Sequence, residues 1–143
     1  MLNQEVRNIM KSNPVVVGPE DNLADVRKMM LEKRIQQIPV VDAENQFQGL
    51  ITTFDMWKDA SNNEDLASKK VKEVMNTRVI KITPKDKLGT AAELFMDRRF
   101  KSLPVVNLRN ELKGVITAFD VIKESLKEEY PRPILYADAF KES

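Results

Sequence analysis

Apolar positions along this chain switch between two spacings, and the switches come in the same order twice. The segments VRNIM (6–10) and VKEVM (71–75) place apolar residues at i, i+3 and i+4, which predicts a helical turn or two. PVVV (14–17) and RVIKI (78–82) are rich in β-branched residues and predict strands. Next comes GPEDNLADVRKMMLEKR (18–34). Pro19 and Asp21 mark a turn, Asp21 or Asn22 can cap the following helix, and Leu23, Val26, Met29 and Met30 form its apolar stripe. The second version, TPKDKLGTAAELFMDRR (83–99), carries Leu88, Ala91, Ala92, Phe95 and Met96 on its inner face. QQIPVVD and KSLPVVN read as strands, with short polar turns after them at 42–46 and 107–111. FQGLIT and LKGVIT read as third strands, and TFDMWKDA and AFDVIKES begin closing helices.

Sliding the chain by 65 residues turns this parallel into an alignment. Residues 6–60 match 71–125 without a gap at 16 of 55 positions, among them Pro39-Val40-Val41 with Pro104-Val105-Val106 and Asp55 with Asp120. A gapless repeat of this length implies a duplicated structural unit, and two copies are too few for an open solenoid. The fold class expected is α/β (α+β): two tandem β-α-β-β-α units, each with a leading helix, packed through three-stranded sheets about a pseudo-twofold axis. Strands two and three suit a hairpin, whereas the first must join by a helical crossover. Val40 and Ile51, or Val105 and Ile116, are expected to cover the bare sheet face by packing on the sister unit. The boundaries expected are 1–65 for the first unit with its linker, 66–127 for the second, and 128–143 for a tail.

Composition narrows the chemistry. Apolar residues make up 42% of the 143, enough for a core, and 23 basic against 22 acidic residues leave a net charge of +1. A general polyanion binder would show a basic excess, so nucleic acid is not expected as a partner. With no Cys and no His, thiolate metal sites and the usual general base are both missing. No apolar run is long enough to span a bilayer and no signal-peptide core is evident, so the expectation is a cytoplasmic protein without a membrane partner. No nucleophile–base pair or glycine-rich phosphate loop appears, so an enzyme is not expected. The methionines at helical positions read as core fillers, and Trp57 as an interface or core anchor. Ile134, Leu135, Tyr136 and Phe140 in the tail are apolar enough to dock.

The PVV segments at 39–41 and 104–106, Gly-x-Ile-Thr-x-x-Asp at 49–55 and 114–120, and the M-x8-P openings at 10–19 and 75–84 together resemble the CBS domain. In tandem they resemble a Bateman module, and the resemblance covers roughly residues 6–126. It implies a regulatory, non-catalytic module that binds an adenine nucleotide or related adenosyl ligand in a cleft between the two units. AMP, ADP or ATP is the first choice, with S-adenosylmethionine or NAD behind them, and no cofactor is required. It also implies a homodimer through the CBS helices and a regulated protein that the sequence does not name.

The motif has its own physics. A strand ends near the Thr and a helix begins just past it, so Thr52 and Thr117 sit where backbone N–H groups lack partners. They can serve as plain N-caps, or add a phosphate or ribose contact, since a helix N-terminus favours anions. Asp55 and Asp120 fall in the first helical turn, where they can offset the helix dipole or accept both hydroxyls of a ribose, the part this Asp commonly plays in CBS domains. By that resemblance one pocket would combine Asp120, Thr117 and Lys101 with Val15, Ile35 and Gln36, and this is the preferred one. The other would combine Asp55, Thr52 and Gln36 with Ile80, Phe100 and Lys101. Lys101 is the phosphate candidate of a basic cluster with Arg98 and Arg99, and the apolar members would sandwich the adenine. The rival reading is a nucleotide-free dimerisation and docking scaffold.

Overall fold

A computed structural model of the chain describes residues 1–60 and 65–129, with Asp59 and Ala60 described in backbone only. Linker residues 61–64 and the tail from 130, where docking was expected, lie outside the described residues. The described residues hold four α-helices and four strands: α1 (Leu23–Lys33), β1 (Gln37–Val41), β2 (Phe47–Thr52), α2 (Thr53–Ala60), α3 (Leu88–Phe95), β3 (Ser102–Val106), β4 (Leu112–Thr117) and α4 (Ala118–Glu129). No described helix is long and apolar enough to cross a membrane.

The chain divides into two compact units, and their boundaries do not follow the repeat. Among the described residues, unit 2 consists of Pro14–Ile80 with Val106–Leu112, and unit 1 of Met1–Asn13, Lys81–Val105 and residues 113–129. In unit 2, Val17, Leu23, Val26, Met30, Ile38, Val40, Ile51 and Met56 form a buried core, and Val71 from the second copy's leading segment completes it. Unit 1 mirrors this: Ile82, Leu88, Ala91, Leu103, Val105 and Ile116 pack with Val6 from the first copy's leading segment. Backbone hydrogen bonds secure each foreign segment. Val71 N donates to Asp21 O (2.9 Å) and Lys72 N to Pro19 O (2.9 Å); Val6 N donates to Asp86 O (2.8 Å) and Arg7 N to Pro84 O (3.0 Å). The leading helix is a single 3-10 turn in each copy, Val6–Asn8 and Val71–Glu73.

Local capping follows the sequence. Asn22 caps α1 by accepting from Ala24 N at 2.8 Å, while Asp21 closes the preceding turn by accepting from Gly18 N at 2.8 Å. Asp86 does the same for Thr83 N at 2.7 Å. The hairpin turn of β1–β2 is shaped by Asp42, whose Oδ1 accepts from Glu44 N and Gln46 N, and Asn107 repeats the device for Arg109 N and Glu111 N. Asn45 and Asn110, both at φ 62°, supply the left-handed residue each turn requires. Within unit 2 these turns join reciprocally: Asn45 Nδ2 donates to Leu112 O and Asn110 Nδ2 to Phe47 O, each at 2.9 Å.

Three expectations need correction. The first strands shrink to one residue each, Val17 bridging Val40 and Ile82 bridging Val105, both in parallel, so each sheet is a two-stranded hairpin with an added bridge. Pro14 has no N–H to give a ladder, and Val15 and Val16 stand exposed. Second, Val40, Ile51, Val105 and Ile116 face their own helices inside the two unit cores. Strand alternation turns Val41 and Val106 the other way, where they form a separate cluster in unit 2 with Phe47, Leu50 and Leu112. Third, Met96 is 83% exposed, because α3 ends one residue before it. The other methionines are buried or half-buried as core fillers.

Candidate functional site

In both units a strand runs straight into a helix with no loop between: β2 ends at Thr52 and α2 begins at Thr53, and β4 ends at Thr117 and α4 begins at Ala118. The Thr is thus the N-cap and the Asp the third helical residue, the spacing of a capping box. Asp55 N donates to Thr52 Oγ1 at 3.1 Å, and Asp55 Oδ2 accepts from Thr52 N at 3.1 Å and from Thr52 Oγ1 at 2.7 Å. In unit 1, Asp120 N donates to Thr117 Oγ1 at 3.1 Å and Asp120 Oδ2 accepts from Thr117 N at 2.9 Å. The capping role of both residues is therefore real in both copies. It occupies one carboxylate oxygen. Oδ1 of each Asp takes no hydrogen bond among the described residues, and a carboxylate has about four lone-pair positions to offer.

The residue three before the PVV proline joins each box through its backbone. Gln36 O accepts from Thr53 N at 2.9 Å, and Lys101 O accepts from Ala118 N at 3.3 Å. Unit 2 thus gathers Gln36, Thr52 and Asp55, and unit 1 gathers Lys101, Thr117 and Asp120. Of the remaining expected residues, Phe100 precedes Lys101 in unit 1, and Val15, Ile35 and Ile80 belong to unit 2. Val15 and Ile80 occupy the same repeat position, and both keep an apolar side chain in the open, at 38% and 44% exposure.

Asp120 is 8% exposed and lines a cavity of about 330 Å³ in unit 1, with Lys11, Lys123, Lys127 and Glu124 around it. Lys11 and Lys127 were not singled out by sequence reasoning. Lys123 was not singled out either; Lys11 comes from the borrowed leading segment, and only the i+3 and i+7 spacings of Lys123 and Lys127 from Asp120 along α4 were there to be read. The basic cluster expected at 98–101 is smaller than its letters suggest. Arg99 is committed to Asp97, with Nη2 2.7 Å from Oδ2, and its guanidinium holds the Asp97 carboxyl down at about 2. Lys101 is exposed and in no ion pair among the described residues.

The glycine that opens the motif has a role sequence reasoning missed. A Cβ on Gly49 would lie 2.5 Å from Asn76 O, and one on Gly114 would lie 2.6 Å from Lys11 O and 2.8 Å from Met10 Sδ. The chain just past each foreign turn pairs with the strand here: Leu50 with Asn76 in unit 2, Val115 with Lys11 in unit 1. The conserved spacing of Met10 and Met75 within the repeat was the available signal, since both thioethers pack at these glycines.

Two copies of one strand-to-helix motif, each on a core completed by a borrowed segment, define a CBS pair. The CBS domain family matches residues 6–56 and 71–127, and the chain belongs to it. It is 37% identical over 123 residues to inosine-5'-monophosphate dehydrogenase of Bifidobacterium longum, covering 85% of this chain and 22% of that protein. It is 28% identical over 132 residues to protein MJ1225 of Methanocaldococcus jannaschii, covering 85% of this chain and 47% of that one. The chain thus spans between about a fifth and a half of the length of these relatives. Among solved structures it resembles CBSX2 in complex with AMP, at TM-score 0.77 and 26% identity over 87% of this chain and 98% of that one. It also resembles an acetoin utilization protein, AcuB, of Vibrio cholerae, at TM-score 0.79 and 25% identity over 91% and 98%. CBS-pair domains are generally regulatory and non-catalytic, and adenosyl ligands are bound by related CBS pairs.

Proposed function

We propose that this chain is a regulatory ligand sensor that binds an adenine nucleotide, AMP before ADP or ATP, and passes the event on as a change of conformation or assembly. The observation that carries the reading is Asp120: a nearly buried carboxylate with one oxygen that takes no hydrogen bond among the described residues, on the wall of a cavity that also presents Lys11, Lys123 and Lys127. A ribose diol can donate to that carboxylate, and ammonium groups can take the phosphate. The cavity's volume falls in the range of small-molecule sites, about 300–1,000 Å³. Thr117 and Lys101 serve the same ligand from unit 1. Thr52, Asp55 and Gln36 make the second, less cationic set in unit 2, with Val15, Ile35 and Ile80 as that unit's apolar candidates for an adenine and Phe100 as that of unit 1. The AMP-bound CBSX2 relative supports AMP as first choice. A ligand biases two arrangements only by binding them unequally.

The test uses Asp→Asn, which keeps an oxygen for the cap and removes the charge. AMP at about 100 times its dissociation constant should add roughly 2.7 kcal/mol to stability, a rise of about 5–10 °C in melting temperature for a chain of this size. Asp120→Asn should remove that shift and Asp55→Asn should leave most of it. A flat response to AMP, ADP, ATP, S-adenosylmethionine and NAD, with calorimetry agreeing, sinks the reading.

A second reading rests on α4, where Phe119, Ile122 and Leu126 stay exposed at helical spacing. A second copy of this chain is the occupant such a row fits, which makes a homodimer. Light scattering across a hundredfold range of concentration, with Ile122→Lys as the disrupting variant, decides it.

A further inference from the structure

On the helical side of unit 2, α1 and α2 frame a cavity of about 510 Å³. Its walls are apolar, with Met30, Ile35, Met56 and Trp57 among them, and two guanidinium groups, Arg27 and Arg34, stand at it. Gln36 and Thr53, joined by their backbone bond next to the capping box, also line it, while Thr52 and Asp55 do not. Three observations bear on what it holds.

First, Arg27 and Arg34 make no ion pair among the described residues, a state they share with Arg78, Arg98 and Arg109, so both guanidinium groups at the cavity are open to an anion. Second, Arg34 sits at φ 54°, ψ 44°, as the C-cap of α1. That left-handed position is one where Gly or Asn is the usual occupant, because a Cβ there crowds the following carbonyl oxygen. The other non-glycine residues at positive φ among those described, Asn45 and Asn110, are of the tolerated type. A residue kept against its backbone preference points to a use for its side chain. Third, the repeat supplies an internal comparison. The positions matching Arg27 and Trp57 are Ala92 and Ile122, and the one matching Arg34 is Arg99, whose charge is spent on Asp97. The cationic, aromatic character belongs to one copy alone.

We infer that this cavity is a second ligand site, for a small organic anion with a flat apolar body. Trp57, 70% exposed, offers a ring face for stacking, the apolar floor takes the body, and the two guanidinium forks take a carboxylate, sulfonate or phosphate ester bidentately. It shares Ile35 and Gln36 with the residues proposed for the nucleotide, but neither capped carboxylate lines it.

Trp57 is the chain's single tryptophan, so its emission reports on this cavity directly. The probe is 8-anilinonaphthalene-1-sulfonate, with N-phenyl-1-naphthylamine as its uncharged counterpart. The full chain should show saturable 1:1 quenching of Trp57 by the sulfonate. Arg27→Ala with Arg34→Gly should weaken that binding at least tenfold, about 1.4 kcal/mol, while the neutral probe changes less than twofold. Glycine suits the left-handed position, and an unchanged urea midpoint confirms the variant's fold. Asp55→Asn and Asp120→Asn should leave the sulfonate affinity unchanged. Equal affinity in the arginine variant overturns the proposal. So does loss of binding in either Asp variant, which would assign the anion to the nucleotide reading. So does Trp57 emission that shifts with protein concentration and ignores the probe, which would mean that a second copy covers the cavity.

Discussion

Gly49→Ala is the sharpest test of how the two repeat copies are built into the units. The added methyl would lie 2.5 Å from Asn76 O, against an ordinary contact of 3.4 Å or more, so something must move by about 0.9 Å. The obstructing atom is backbone, and it accepts from Leu50 N at 3.0 Å, while Asn76 N donates to Leu50 O at 2.8 Å. A shift of that size carries both bonds past about 3.5 Å, where they cease to count. Two lost hydrogen bonds at about 0.5–1.5 kcal/mol each cost about 1–3 kcal/mol. The stiffer unfolded chain returns about 0.4–1 kcal/mol. The net loss should be about 1 kcal/mol, and Gly114→Ala should match it, with Lys11 O at 2.6 Å. The remaining glycines are controls of opposite sign. At Gly18 and Gly89 the new methyl would meet nothing nearer than 3.7 Å and 3.4 Å, and neither has a positive φ. Gly89 lies inside α3, so Gly89→Ala should stabilise by up to about 1 kcal/mol. Urea midpoints at constant m-value read all four. If Gly49→Ala unfolds at the wild-type midpoint, or Gly18→Ala is equally damaging, the close strand approach is not what requires a glycine here.

Two further outcomes follow from local contacts. Thr117→Ala removes the N-cap of α4 and should cost about 1 kcal/mol, while Thr117→Ser keeps the hydroxyl and should recover most of it, again by urea midpoint. Glu20 bridges Lys70 at 2.6 Å and Lys72 at 2.7 Å, hydrogen bonds that pull its carboxyl from 4.5 down to about 2. Because the folded value lies below the unfolded one, the contribution is complete above about pH 4.5 and disappears as pH falls through 2. Glu20→Gln should flatten the wild type's pH dependence in that window, by a small margin since the pair is exposed, and 0.5 M salt should shrink the difference. A wild-type curve identical to the variant's would refute the bridge.

Short-range chemistry made much of this protein legible from its letters. The period-3.6 stripe of α1, the β-branched residues of the strands and the Thr-x-x-Asp boxes all depend on residues a few positions apart, and each formed where expected; the 65-residue repeat is a match of letters and needed no structure to be seen. Thr52 and Asp55 needed only the strand-to-helix junction that the sequence spells out. The tertiary structure decided what depends on distant partners. Val6 and Val71 belong to segments with the same apolar spacing, each suited to either copy's helix and strand, so local spacing cannot say which core takes which. Folding sent each to the other copy's elements. Gly49 and Gly114 are small because Asn76 and Lys11 arrive there from far along the chain, and Lys11 reaches the Asp120 cavity by the same route. The runs at 14–17 and 78–82 had the composition of strands, but a strand exists only through its neighbours, and those gave Val17 and Ile82 one bridge each. Arg34 reads in sequence as an ordinary helix-end cation. Only the left-handed backbone at that position, beside Trp57 and an open cavity, sets it apart.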